Sequence, residues 1–178
     1  MHYQGTPFCF VEVSHRSVNY DRLNNLTVDM IKKYFNAEGY EVLLMPTGTA
    51  MPCIYFNHIF PDSRVIFYSE GSFSSKYYEE MKKYHSETVK VSNLTDLIDM
   101  LGEYKFFGKN IVHMNKIEDG RQINMELLGK HRNQIILAKN INYCFPWTET
   151  TAMDEDIVYF DSETGFSIAG FTVMLVKK

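Results

Sequence analysis

Ile157-Val158-Tyr159-Phe160 and Phe171-Thr172-Val173-Met174-Leu175-Val176 are two apolar runs rich in β-branched and aromatic residues, with only Ser162 to Gly170 between them. Both read as strands. A parallel crossover takes a dozen or more residues, so this connection is too short for one and the last strand reads as antiparallel to its neighbours. Working back along the chain, strands are expected at Gln134–Ala138, Asn110–Met114, Thr88–Val91 and Arg64–Tyr68, and at the continuous apolar run Val42–Met45. Helical patterns fill the intervals: Thr49–Phe60 with Pro52 in its first turn, Ser74–Tyr84 with Tyr77, Met81 and Tyr84 near one face, Leu94–Leu101, and Met125–Arg132. Ahead of them, Leu23, Leu26, Met30, Ile31 and Tyr34 recur at helical spacing within Asp21–Phe35, and the stretch Asn36–Gly39 stops that helix, with Gly39 as its cap. The fold class is therefore α/β: a three-layer sandwich on a seven-stranded, mostly parallel sheet with the last strand antiparallel. No repeat or internal boundary divides residues 1–178, which read as a single domain.

Composition narrows the function classes. At 45% hydrophobic and 22% charged, with ten Gly and five Pro, the 178 residues are globular rather than linker-like. A net charge of −4 argues against a nucleic-acid partner. No apolar run approaches the ~20 residues that span a bilayer, and Met1-His2-Tyr3-Gln4-Gly5 lacks the basic and apolar regions of a secretory signal. Three widely spaced cysteines, Cys9, Cys53 and Cys144, fit reduced thiols in the cytoplasm and form no Cys-x-x-Cys metal motif, so no metal is expected.

Ligands of an open α/β sheet sit at the carboxyl ends of its strands. After the first strand, Pro46-Thr47-Gly48-Thr49-Ala50 combines a small residue, two hydroxyls and a helix N-terminus, which reads either as an anion cradle or as a plain cap by Thr49. After the second, Ser69-Glu70-Gly71-Ser72-Phe73 offers an aromatic that either stacks on a flat ring or plugs the core. The stretch from His113 to Gly120 brings imidazole, Lys116, Glu118 and Asp119 together, which reads as a solvated turn closed by Asp119-Gly120 or, alternatively, as a loop suited to acid–base chemistry. Lys139 follows the fifth strand. No Gly-x-Ser-x-Gly elbow, Walker loop or Gly-x-Gly-x-x-Gly occurs, and Cys53 and His58 fall on different sides of their helix.

Four stretches, taken in order, carry a resemblance: Val13–Ser17, Glu41–Met51, Arg64–Phe73, and Asp156–Phe166 closed by Ala169-Gly170. Together they resemble the class V aminotransferases, pyridoxal-phosphate (PLP) enzymes of fold type I, with the phosphoserine aminotransferase-like branch most similar at the start. The resemblance implies a PLP-transferase-like large domain. It puts Gly48 and Thr49 at the cofactor-phosphate position, Phe73 where an aromatic stacks on the pyridine ring, and His15 and Arg16 in a substrate-anion motif. It also exposes departures. Lys139, or Ala138 on a slip of one residue, stands where the family places the acid that pairs with the ring nitrogen. Ser162-Glu163-Thr164 stands where Ser-x-Lys supplies the Schiff-base lysine, and Asn115-Lys116-Ile117-Glu118 replaces an acidic and hydroxyl loop. Threonine forms no imine, and a lysine beside the ring nitrogen opposes its protonation.

The chain ends where the family continues into a small C-terminal domain. The resemblance therefore implies a degenerate, large-domain-only relative that acts by binding or through a partner. It would have no covalent cofactor (PLP only non-covalently) and would form a homodimer or a heterodimer with an aminotransferase-like paralogue. The alternative is an enzyme, either one subunit of a split PLP enzyme or a catalyst that reuses the pocket through His113, Glu118 and Lys139.

Overall fold

The computed structural model describes residues 16–46, 50–69, 71–103, 109–115, 117–118, 121–122, 126–142, 155–161 and 171–178. Seven strands form one sheet: β1 (Tyr40–Pro46), β2 (Arg64–Tyr68), β3 (Thr88–Val91), β4 (Asn110–Asn115), β7 (Ile135–Asn140), β8 (Ile157–Asp161) and β9 (Phe171–Lys177). Their order across the sheet is β1-β9-β8-β7-β4-β2-β3. β9 runs antiparallel to both β1 and β8, and the remaining pairs are parallel, as the short 162–170 connection requires. The bounds of β2 and β3 coincide with those expected from sequence. Two further strands of two residues each, β5 (Ile117–Glu118) and β6 (Arg121–Gln122), pair as a small hairpin that starts within the His113–Gly120 stretch expected to be a turn and ends just beyond it.

Alternation along the strands sorts side chains into two layers. On one face Ile111, Ile136, Ile157, Tyr159 and Met174 pack with helices α2 (Ala50–Ile59) and α3 (Ser72–Met81). On the other face Val158, Phe160, Val173 and Leu175 receive Ile31 and Phe35 of α1 (Val18–Phe35), and Val112, Met114 and Leu137 pack with Leu97 and Leu101 of α4 (Leu94–Glu103). The sandwich is therefore three layers deep.

Four local expectations are corrected. α1 ends at Asn36, in the left-handed conformation (φ 49°), and not at Gly39; its amide bonds back to the carbonyls of Lys32 and Lys33. Asparagine tolerates that conformation because its short polar side chain bonds locally. α1 buries Ile31 and Phe35, whereas Leu23, Leu26, Met30 and Tyr34 are exposed, so most of the residues that defined its apolar periodicity face away from the sheet. The segment expected to be helical at Met125–Arg132 is a 3-10 helix, Glu126–Gln134. Helix α3 ends at Met81, which leaves Tyr84 beyond it and exposed.

Candidate functional site

The six parallel strands end together, at Pro46, Tyr68, Val91, Asn115, Asn140 and Asp161, and β9 begins beside them. At the β7, β8 and β9 positions of that edge lies a buried polar network centred on Asp161. Its Oδ2 accepts from Tyr77 Oη at 3.3 Å and from Asn142 Nδ2 at 3.0 Å, and its Oδ1 accepts from the Thr172 hydroxyl. Asn142 Oδ1 accepts from the Asp161 amide at 2.7 Å, and Asn140 Oδ1 accepts from the Asn142 amide at 2.9 Å. All five residues are buried. One carboxylate thus ties α3 to the ends of β7 and β8 and the start of β9. Burial, and next the Asp161 charge, push the Tyr77 phenol up from its ordinary value, so it stays protonated and donates.

Below this network lies His113, fully buried among Phe56, Phe67, Tyr77 and Tyr159. Its Nε2 is 2.5 Å from the Tyr159 hydroxyl. Desolvation lowers the imidazole to about 3 and raises the Tyr159 phenol. Near neutrality both groups are therefore uncharged, and Tyr159 donates to Nε2. The proton then sits on Nδ1, which finds no hydrogen-bond partner among the described residues. Cys53 faces the same layer, fully buried, with its thiol pushed up to about 12 first by desolvation and then by Glu80, which makes it a poor nucleophile.

Lys139 lies on the other side of the sheet. Ile136 and Ala138 belong to the α2/α3 layer and Ile135 and Leu137 to the α4 layer, so Lys139 projects with the latter. Its ammonium pairs with Glu155, just ahead of β8, and both side chains are largely buried. Beside that pair, Asp156 receives Arg132 Nη1 and the Leu137 amide, each at 2.7 Å. Phe73 sits in the first turn of α3, half-buried, one turn ahead of Tyr77, and Lys76 Nζ lies 5.3 Å from its ring centre. Arg16 is exposed, next to Ser17, whose hydroxyl caps α1 by accepting from the Tyr20 amide at 3.2 Å. Glu118 is placed by its backbone, opposite Arg121 in the β5–β6 hairpin. His15, Gly48 and Thr49 lie outside the described residues.

Of the sites expected from sequence, the described edge brings Phe73 and His113 to the α2/α3 side and turns Lys139 away. No local motif marks Tyr77, Asn142, Asp161 and Thr172, because they come from α3, the turn after β7, β8 and β9. Among the described residues no group of His, Cys, Asp and Glu is placed to hold a metal, and no helix is long and apolar enough to cross a membrane.

No protein-family profile matches the chain. Solved structures do. A phosphoserine aminotransferase from Cytophaga hutchinsonii superposes at a TM-score of 0.74 with 18% identity, over 93% of this chain and 48% of that one. The fold is that of the class V aminotransferases. An alanine–glyoxylate aminotransferase from Nostoc sp. gives 0.73 at 16% identity over 94% and 48%, and a ureidoglycine–glyoxylate aminotransferase from Bacillus subtilis gives 0.72 at 16% over 95% and 47%. In sequence, a phosphoserine aminotransferase from Lysinibacillus sphaericus is 32% identical over 75 residues, 40% of this chain and 21% of the relative. The chain thus spans about half the length of the structures it matches.

Proposed function

We propose that this protein is an aminotransferase-like scaffold that no longer holds a Schiff-base cofactor, and that it acts in the cytoplasm by binding rather than by amino transfer. One observation carries the reading: between Lys139 and Lys177 the sequence contains no lysine. A slip of the alignment around Thr164 therefore cannot supply the missing amine. The two flanking lysines are poorly placed to replace it. Lys139 is engaged by Glu155 on the opposite face, and Lys177 pairs with Tyr40, where β1 begins, at the far end of the sheet from the ligand edge.

The residues present do not fit a covalently held PLP. The position expected to carry the ring-nitrogen acid is Lys139, and the imidazole nearest the edge is neutral and bonded to Tyr159. Phe73, half-buried at the edge, is the group left to stack on a flat ligand, and Gly48 and Thr49 are the ones to receive its anionic end.

An amino-transfer assay tests the reading. The purified full chain, supplied with PLP, a panel of amino acids and a 2-oxo acid acceptor, is expected to give no turnover above the protein-free rate. Turnover that tracks protein concentration would overturn it.

A further inference from the structure

We propose that Tyr159 and His113 form a redox-active pair, an internal sink for one-electron oxidants of the inorganic-radical class that meet the surface at Tyr78. A phenol gives up an electron far more readily when its proton leaves in the same step, which needs a base already within hydrogen-bond reach. Tyr159 has one: its hydroxyl lies 2.5 Å from His113 Nε2, and both residues are fully buried. Near neutrality the phenol keeps its proton and the imidazole is neutral, so Nε2 can take it. Oxidation breaks the Tyr159 O–H bond, forms Nε2–H and passes one electron to the oxidant. The pair becomes a neutral phenoxyl radical beside an imidazolium. Burial disfavours that imidazolium, but an oxidised phenol is a much stronger acid, and the proton crosses. The Phe67 and Tyr77 rings, with centres 4.2 Å and 5.8 Å from that of His113, offer their faces to the new cation. A thiolate that returns one electron resets the pair, and the proton goes back from Nε2 to the Tyr159 oxygen.

The surrounding rings give the electron vacancy a way in, and the charges beside them give it a direction. Ring centres step from Tyr78 to Phe67 at 6.1 Å, from Phe67 to His113 at 4.2 Å and from His113 to Tyr159 at 5.7 Å. Tyr78 is only partly buried, whereas the other three are fully buried. At the outer end, Lys82 Nζ lies 5.2 Å and Lys90 Nζ 5.9 Å from the centre of the Tyr78 ring. Two ammonium groups oppose positive charge on that ring. At the inner end the field is reversed, because the charge of Asp161 reaches Tyr159 and favours positive charge there. Proton acceptor and field therefore both draw the vacancy from the outer phenol to the inner one.

The pair stands below the ligand edge, so this inference does not depend on how that edge is read. Flash photolysis of the full chain tests it, with tris(bipyridine)ruthenium(II) as sensitiser and a cobalt(III) ammine as electron acceptor. The photogenerated ruthenium(III) is the oxidant, and transient absorption and electron paramagnetic resonance read the phenoxyl radical. The wild type is expected to give a radical that outlives those of exposed tyrosines, with a yield indifferent to buffer concentration because the proton stays in the pair. Tyr159→Phe is expected to lose that radical. His113→Gln keeps a hydrogen-bond acceptor but no base, and is expected to lose it too. Tyr78→Phe should slow its formation and leave its lifetime unchanged. A wild type without a long-lived radical, or a long-lived radical that survives Tyr159→Phe, would overturn the proposal. A radical unchanged by His113→Gln would overturn it as well, since the imidazole would then only pack. Circular dichroism of each variant checks folding. Where His113→Gln unfolds, the wild type decides: a yield that rises with buffer concentration means that the proton leaves the pair, and the proposal fails.

Discussion

At the amino end of β8, Asp156 and Glu155 are neutralised by Arg132 and Lys139; at its carboxyl end, Asp161 rests on Tyr77, Asn142 and Thr172, donors that carry no charge. In the first region the Arg132 and Asp156 side chains are 22% and 30% exposed and the Lys139–Glu155 pair is largely buried, whereas Asp161 and its donors are all buried. Both regions tie β8 to its neighbours. They differ in what removal of one group leaves behind. The partly exposed Arg132–Asp156 pair, once broken, is repaid by water. A buried network, once broken, leaves several donors with nothing to bond, and that is the costlier outcome. The comparison also bears on function. In the described part of β7 and β8, Arg132 serves the amino end of β8, and Lys139, though next to the last residue of β7, projects on the α4 side toward Glu155, whereas the α2/α3 side of the edge is organised around a carboxylate and a phenol.

The largest effect is expected from Asp161→Leu, which takes the shared carboxylate acceptor from Tyr77, Asn142 and Thr172 together. It should cost about 4 kcal/mol in urea unfolding. A cost near that of a surface change would erase the distinction between the two ends. Glu155→Leu leaves the buried Lys139 ammonium without its partner and should cost about 3 kcal/mol, whereas the double change Glu155→Leu with Lys139→Met should fall within about 1 kcal/mol of wild type. Non-additivity of that size, read from a double-mutant cycle, shows that the pair is structural; an additive cycle would say that Lys139 does something else.

His113 sharpens the comparison through pH. Its folded-state value, near 3, lies below the ordinary histidine value of 6.5, so the unfolded chain binds the extra proton. Stability is then full above 6.5 and is lost as pH falls through the window from 6.5 toward 3. By about pH 4.5 the loss should be about 2–3 kcal/mol in denaturant midpoints measured across pH, and His113→Phe should flatten that slope. An unchanged slope in the variant would assign the acid sensitivity to other groups. The smallest effect is expected from Asp156→Asn, about 1 kcal/mol or less and diminished by salt.

Much of this architecture is legible in the sequence, for reasons tied to particular residues. Arg64–Tyr68 and Thr88–Val91 are apolar runs with clear turn residues around them, and they begin and end where expected. The antiparallel last strand follows from the brevity of 162–170 alone. The small β5–β6 hairpin escapes because two-residue strands have no periodicity to read. α1 shows why periodicity gives a helix but not its inner face: Leu23, Leu26 and Met30 are as apolar as Ile31 and Phe35, and only tertiary packing decides which set the sheet receives. Site residues were harder. The alternation Ile135, Leu137, Lys139 puts Lys139 on one face, but its partner Glu155 is 16 residues away and nothing local pairs them. Asp161 has no sequence signature at all, since Tyr77 lies 84 residues away from it. His113, a natural candidate for acid–base chemistry by residue type, is surrounded by rings from four other positions, which no linear motif encodes.

The central proposal is that this chain grips no aldehyde through an amine at the ligand edge, Lys139 being paired with Glu155 and Lys177 lying at the far end of the sheet. Incubation of the full chain with PLP, reduction with borohydride and peptide mapping by mass spectrometry test it most directly, with the visible spectrum followed throughout. The account predicts no reducible band at roughly 410–430 nm, and only scattered, substoichiometric labelling of surface lysines. One pyridoxyl group per chain on a single lysine, with a band that borohydride removes, would contradict it.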